Sequence, residues 1–316
     1  MANKTRRFGP GAGLLAALAT TASLVMGPAP AALAASRDCD KACLEGIAKL
    51  YREAYVAHDP KRLPLARDVK FSENGVMMKF PDASWDTVTK EYGPAITLSD
   101  PKTGNVGIYT AILQTDVPGF LGVRLKVRRG EITEIEHILS TKRNLSSPPT
   151  PIGDAEKYQP QPEFFATVPV EKRISRERLI AHANGYFDTL QNNTGEIRGT
   201  RFTPDASRLE NGLRFDEIEA RFRQGYYRFN ERVRDRDFFL VDEERQIVMS
   251  RGFIDHKGTL LDYTLTDGTT KIKAIFREPQ TWAFLESFKV ENDHITAVHA
   301  TFIQAPYYMP PPWKKK

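Results

Sequence analysis

Leu125-Lys-Val-Arg-Arg-Gly-Glu-Ile-Thr-Glu-Ile135 returns later in the chain, without a gap, as Phe288-Lys-Val-Glu-Asn-Asp-His-Ile-Thr-Ala-Val298. In both, apolar residues alternate with polar ones on either side of a tight turn, the pattern of a β-hairpin with one face buried. The likeness extends backwards. Ser207-Arg-Leu-Glu-Asn-Gly212 matches Lys70-Phe-Ser-Glu-Asn-Gly75, a strand running into a turn. A helical pattern precedes each: Leu44, Ile47, Leu50, Tyr51, Ala54 and Tyr55 in the first copy, Leu179, Ala183, Tyr186, Phe187 and Leu190 in the second. Strand-like runs over 106–114, 120–127 and 132–140 complete the first copy. A helix, a turn and a closing hairpin recurring in order predict one α+β unit written twice.

The expected boundaries follow. Residues 1–34 read as an export signal: Lys4, Arg6 and Arg7 are a basic start, Gly13 to Met26 is a short apolar stretch, and Ala32-Leu33-Ala34 fits a cleavage site. The stretch is too short for a stable membrane span, so no membrane association is expected once it is removed. The first domain is expected over 35–145, a Pro-rich linker over 146–172, and the second domain over 173–316. A secreted or periplasmic location is implied. The net charge of +5 falls to +2 without the three cations of residues 1–34, which is no electrostatic footprint for nucleic acid. Lys314-Lys315-Lys316 is read as a solvated tail. Export permits a disulfide between Cys39 and Cys43. Positions i and i+4 in an intact helix are poor disulfide geometry, so a bridge requires a non-helical start.

The densest run of ionisable residues beside apolar strand is Arg232 to His256. Phe238 to Val241 and Ile247 to Ile254 are its arms. Asp242 to Gln246 is a polar turn, whose consecutive carboxylates converge too poorly for a metal site. Asp255-His256 ends the second arm. Aspartate can orient an imidazole base; equally, Asp255 can cap backbone amides at a strand end. Adjacent strand residues face opposite ways, so both share a pocket only if the strand stops or bulges there. Arg234 and Arg236 alternate with Phe238 and Leu240, placed either to clamp an anion or to pair with Asp235 or Asp237.

The copies disagree at informative positions. At an offset of 163, Glu286 stands where the first copy has Val123, and His299 where it has Glu136. Glu286 shares a strand face with Trp282, Phe284, Phe288 and Val290. A carboxyl among aromatics loses hydration, which raises its pKa and readies it to donate or accept a proton near neutrality. The alternative is a buried ion pair with Arg234, Arg236 or Arg251. His299 is read either as a hydrogen-bonded core histidine or as a second proton-handling group. Catalytic candidates are therefore Glu286, His256, Asp255 and His299, with Arg234, Arg236, Phe253, Trp282 and Phe284 as substrate contacts. In the first copy Trp85, Tyr92 and Tyr109 are expected to line a pocket or, by default, to fill it. Glu73 and Glu210 are expected to serve the same turn, and His137 to lie at an exposed strand end. A phosphate loop, a Gly-x-Ser-x-Gly elbow and a His-Glu-x-x-His motif are all missing.

A helix followed by strands that end in Val-x-x-Gly-x-Ile-x-x-Ile resembles the nuclear transport factor 2-like (SnoaL-like) superfamily, over about residues 39–143 and 175–305. Six features resemble a group of secreted tandem-domain proteins within it: His58-Asp-Pro-Lys-Arg-Leu-Pro64, Phe71-Ser-Glu-Asn-Gly75, Ala183-Asn-Gly-Tyr-Phe-Asp188, Val241-Asp-Glu-Glu-Arg245, Phe253-Ile-Asp-His256 and Pro306-Tyr-Tyr-Met-Pro-Pro-Pro-Trp313. The resemblance implies two cone-shaped domains, each a curved antiparallel sheet wrapped on N-terminal helices. It also implies a pocket inside the cone, often used without a cofactor by lyases, dehydratases and isomerases, and an internal pseudo-dimer of the two domains. Other members bind small molecules or assemble without catalysis, so fold alone does not choose. The expected partner is a small-molecule substrate or ligand.

Overall fold

In a computed structural model of the chain, the described residues are 39–142 and 152–313. The stretch expected to be an export signal, the start of the Pro-rich stretch and the lysine tail lie outside them. The first copy runs α1 (Lys41–Val56), β1 (Leu65–Glu73), β2 (Val76–Met78), α2 (Ser84–Thr87), β3 (Val88–Asp100), β4 (Asn105–Gln114), β5 (Val117–Arg128) and β6 (Glu131–Thr141). The second runs α3 (Arg176–Leu190), β7 (Phe202–Glu210), β8 (Leu213–Phe215), α4 (Ile218–Arg223), β9 (Arg232–Asp242) and β10 (Ile247–His256). It continues through an added hairpin, β11 (Asp262–Thr264) and β12 (Lys271–Lys273), to β13 (Gln280–Glu291) and β14 (His294–Ala305). Each copy forms a curved six-stranded sheet, ordered β2-β1-β6-β5-β4-β3 and β8-β7-β14-β13-β10-β9. Among the described residues, no helix is long and apolar enough to cross a membrane.

The sheets are mixed rather than wholly antiparallel, which corrects the expectation. β1 lies parallel to β6 and β7 parallel to β14. The chain crosses back through α2 or α4 before laying down the other strands, so the last strand arrives running the same way as the first. Parallel neighbours need such a crossover.

Asp40 caps α1, its side chain accepting from the Cys43 backbone N–H at 2.9 Å. Cys39 therefore precedes the helix, and its bridge to Cys43 spans a Cα separation of 5.3 Å. One face of each sheet packs on its own helix: α1 lies on β3 and β4, and α3 on β9, β10 and β13. The opposite faces pack on each other. Ile96, Leu98, Tyr109 and Ile138 meet Leu240, Ile247, Met249 and Leu285 in one apolar layer. The Tyr109 and Ser287 hydroxyls lie 2.9 Å apart across it. The approach is close enough that a Cβ on Gly107 would fall 2.1 Å from Met249 Sδ. Arg251 crosses between the sheets to Glu136 at 2.8 Å. The described part of the Pro-rich stretch forms short 3-10 turns and buries Tyr158, Gln161 and Phe164 at the edge of this layer.

The Glu-Asn-Gly turns share one device. The Asn74 side chain donates to the Leu139 carbonyl at 3.2 Å and accepts from the Leu139 N–H at 2.8 Å. Asn211 does the same to Phe302, at 3.0 Å both ways. Each asparagine closes backbone groups that the last strand leaves unpaired beside the turn, and this explains its recurrence. Asn211→Ala leaves a buried carbonyl and a buried N–H without partners. We expect a loss of about 2–4 kcal/mol, read from urea midpoints, whereas Asn192→Ala on the surface loop after α3 should cost far less.

Candidate functional site

β13 is buried on both faces, so its alternation sends neighbouring residues into different compartments. Leu285 and Ser287 face the first copy's sheet. Trp282, Phe284 and Glu286 face the helix side, where they line a cavity of about 210 Å³ inside the second copy. Tyr186 of α3, Arg208 and Glu210 of β7, Arg221 of α4 and Ala300 of β14 complete its wall, with Tyr226, Tyr227, Phe229 and Asn230 from the segment after α4.

The Glu286 carboxyl is fully buried and makes no hydrogen bond or ion pair among the described residues. The paired-arginine alternative fails for each partner considered. Arg234 is held by Asp255 and Asp235, Arg236 by Asp188, and Arg251 by Glu136 and Asp237. Loss of hydration, with the Glu210 carboxylate nearby, pushes Glu286 up to about 8 against the opposing pull of Arg208. At neutral pH it is therefore a carboxylic acid facing an aromatic hollow.

Arg208 is the fixed charge of the site. It donates to Tyr186 Oη at 2.9 Å and to Tyr227 Oη at 2.5 Å, and its Nε lies 3.2 Å from Glu210 Oε1. Alignment on the Glu-Asn-Gly turns puts Arg208 where the first copy has Phe71, and alignment on the closing hairpins puts Ala300 where it has His137. In the first copy that histidine is buried. Its Nε2 lies 2.8 Å from Tyr51 Oη and its Nδ1 3.2 Å from Glu73, while Trp85 donates to the same tyrosine at 3.2 Å. His137 and Trp85 thus occupy space inside the first copy, and the expected exposure of His137 is wrong. Glu73 and Glu210 do end equivalent strands, but their side chains differ in use, one toward His137 and Ser84, the other toward Arg208.

The other sequence-selected residues do not join Glu286. His299 pairs across the ladder with Ser287 and Glu286 with Ala300, so the two ionisable groups sit on opposite faces. His299 lies between the copies, 3.2 Å from both Tyr158 Oη and Gln161 Oε1, and burial lowers its pKa to about 3. Asp255 is likewise turned away, because β10 continues through His256 and alternation holds. It accepts from Thr281 Oγ1 at 2.7 Å, Arg232 at 2.7 Å and Arg234 at 2.8 Å. Burial favours its neutral form, but these partners outweigh it and hold the pKa below the usual range.

His256 is on the Glu286 side of the sheet but does not line the cavity. Its ring stacks on Phe276 at 3.9 Å and meets Trp282 edge-on at 5.0 Å. Neither ring nitrogen has a partner among the described residues, and burial lowers its pKa to about 3 despite the neighbouring Asp255. Phe253 lines a separate cavity of about 390 Å³ between the sheets. Of the proposed contacts, Trp282 and Phe284 reach the Glu286 cavity, whereas Arg234, Arg236 and Phe253 do not. Sequence reasoning passed over Arg208, Arg221, Tyr186, Tyr227 and Ala300. The internal comparison that selected Glu286 also carries the exchanges Phe71 to Arg208 and His137 to Ala300. Arg245 closes the Asp242 to Gln246 turn by pairing with Asp242 at 2.7 Å.

Residues 172–302, most of the second copy, match a family described as a domain of unknown function (DUF8021). No curated protein matches the chain. Among solved structures, a de novo designed protein with a curved β-sheet is similar at 15% identity, over 41% of this chain and 88% of its own, with a TM-score of 0.27.

Because Glu286 has a higher pKa folded than unfolded, the native state keeps a proton that the unfolded chain releases. Stability should fall as pH rises from the ordinary value of 4.5 to about 8 and level off above. Glu286→Gln should abolish this contribution. Its urea-derived stability should gain on wild type by up to about 1.4 kcal/mol per pH unit across that window. A pH-independent difference would contradict the buried neutral acid.

Proposed function

We propose that the second copy performs acid/base chemistry on a small hydrophobic or aromatic molecule, of the lyase, dehydratase or isomerase type, with Glu286 as the proton-transfer group. The observation that carries this reading is an unpaired, buried carboxyl with a pKa pushed to about 8 on the wall of an aromatic-lined cavity. A neutral acid there can protonate a departing oxygen or a carbonyl. Its conjugate base can take a proton from carbon. Exclusion of water strengthens both acts, and the protein supplies the acid and base itself. The reading no longer includes Asp255 or His299, which are committed elsewhere. Tyr186 and Tyr227, oriented by Arg208, are the polar groups that border the same space.

The nuclear transport factor 2-like cone remains our interpretation of each copy. A six-stranded curved sheet with a helix on one face in both copies, and a hollow between them in the second, support it. Packing of the two sheets back to back supports an internal pseudo-dimer. Export to a secreted or periplasmic location is part of the same interpretation, and the Cys39–Cys43 bridge is compatible with an oxidising compartment. A second reading is a binding protein without turnover. It is favoured by the position of His256, which would be the natural second acid/base but does not reach the cavity.

The test is a screen of the purified chain against small aromatic hydroxy and keto compounds in D₂O, followed by NMR for elimination, isomerisation or deuterium uptake at carbon. For any compound turned over, Glu286→Gln should lower kcat by about 10²–10⁴. Full activity in that variant removes Glu286 from the chemistry. Compounds that raise the thermal midpoint and are never transformed select the binding reading.

A further inference from the structure

The charges on the cavity wall do not balance. Arg208 and Glu210 form one ion pair at 3.2 Å, and Glu286 is neutral near pH 7. That leaves Arg221. Its guanidinium lies over the Tyr226 ring at 5.1 Å, and its side chain has no ion pair or hydrogen bond among the described residues. Glu219, two residues before it, is taken by Arg223 at 2.5 Å. The Arg221 Nε is also buried from solvent without an acceptor, and a buried unpaired donor is costly. A second orphan belongs to a residue of the same wall. The Asn230 side-chain oxygen is buried and has no donor among the described residues. One unmatched cation, one unmatched acceptor and an aromatic wall are a complementary description of a ligand.

We propose that this cavity takes a monoanionic single-ring aromatic acid carrying a hydrogen-bond donor, its carboxylate on Arg221 and its donor on Asn230. The proposal rests on reading this cavity as the working site and adds the class of molecule that enters it. Size agrees: an apolar protein cavity of about 150 Å³ accommodates benzene, and this one, at about 210 Å³, leaves room for a ring with small substituents. Chemistry agrees as well. Guanidinium matches a carboxylate with parallel N–H donors. Trp282, Phe284 and Tyr226 offer rings for offset or edge contact. A neutral Glu286 adds no repulsion to an incoming anion, whereas an ionised carboxylate there would. An aromatic cation is disfavoured because it would leave Arg221 unneutralised and add a like charge beside it.

Calorimetric titration of the full chain at pH 6.5 tests this with matched probes, 4-hydroxybenzoate against 4-hydroxybenzamide. Wild type should bind the acid at least about tenfold more tightly than the amide, the scale of a charge-assisted hydrogen bond. Arg221→Gln should weaken the acid by about that factor and leave the amide within about twofold. Arg221→Lys should recover part of the preference. The proposal is overturned if the amide binds as well as the acid, if the preference survives Arg221→Gln, or if neither probe binds. Glu286→Gln separates this from the catalytic reading, because it removes the proton-transfer group and keeps Arg221. Acid preference retained there, with no turnover by wild type, sinks only the catalysis. Turnover of neutral aromatics without acid preference sinks only the present inference.

Discussion

Burial of both faces of the same strands is the constraint from which the rest follows. Each sheet carries a helix on one side and the other copy's sheet on the other. A strand in that position has no solvent side on which to place a polar residue cheaply, so every ionisable group on it must be paired, neutralised or adjacent to a cavity. The molecule uses all three outcomes. Asp255 is paired by two arginines, His299 is kept neutral among Tyr158, Gln161 and Phe164, and Glu286 is neutral beside a cavity. Alternation makes these fates independent of closeness in sequence. Glu286 and Ser287 are neighbours in the chain, yet one faces the aromatic hollow and the other the inter-sheet layer.

The two copies share a scaffold and differ in how they fill it. The first closes its interior with His137 and Trp85, and satisfies the histidine through Tyr51 and Glu73. The second replaces the histidine with Ala300, which frees volume, and replaces two apolar positions with Arg208 and Glu286, which supply polarity. Neither kind of change suffices alone. A hollow without polar groups would be a packing defect costing stability in proportion to its volume. Charges without a hollow would need direct partners. Tyr186, equivalent in its helix to Tyr51, shows the adjustment: its hydroxyl accepts from Arg208, where Tyr51 instead meets a histidine.

The second copy also carries material that the first lacks. Where β4 and β5 are joined by a tight turn, β10 and β13 are joined by residues 257–279, which hold the β11–β12 hairpin. Phe276 from this segment covers His256, and Ile275 reaches the cavity wall. The added segment therefore encloses the hollow on a side that the shared scaffold leaves open. It also accounts for most of the growth in offset between matching positions, from 137 at the Glu-Asn-Gly turns to 163 at the closing hairpins.

Periodicity and internal likeness were enough to read the duplication, the Arg232 to His256 hairpin, the closing hairpins and the shared face of Trp282, Phe284 and Glu286, because these are local properties of a strand or comparisons between two stretches of one chain. The strand β3, the helix α4 and the parallel pairings were not legible, since they depend on which distant segments meet. The site was half legible for the same reason. Glu286 stood out because its own strand is apolar. Its separation from His299 and the capture of Asp255 by Arg232 and Arg234 depend on ladder register and on the neighbouring strand, which single-strand alternation does not reveal. Sequence alone determined that a carboxyl would be buried in the second copy. Only the packing of α3, α4 and the sheet decided that it would face a hollow rather than an arginine, because cavities and partners are properties of surfaces brought together from far apart in the chain.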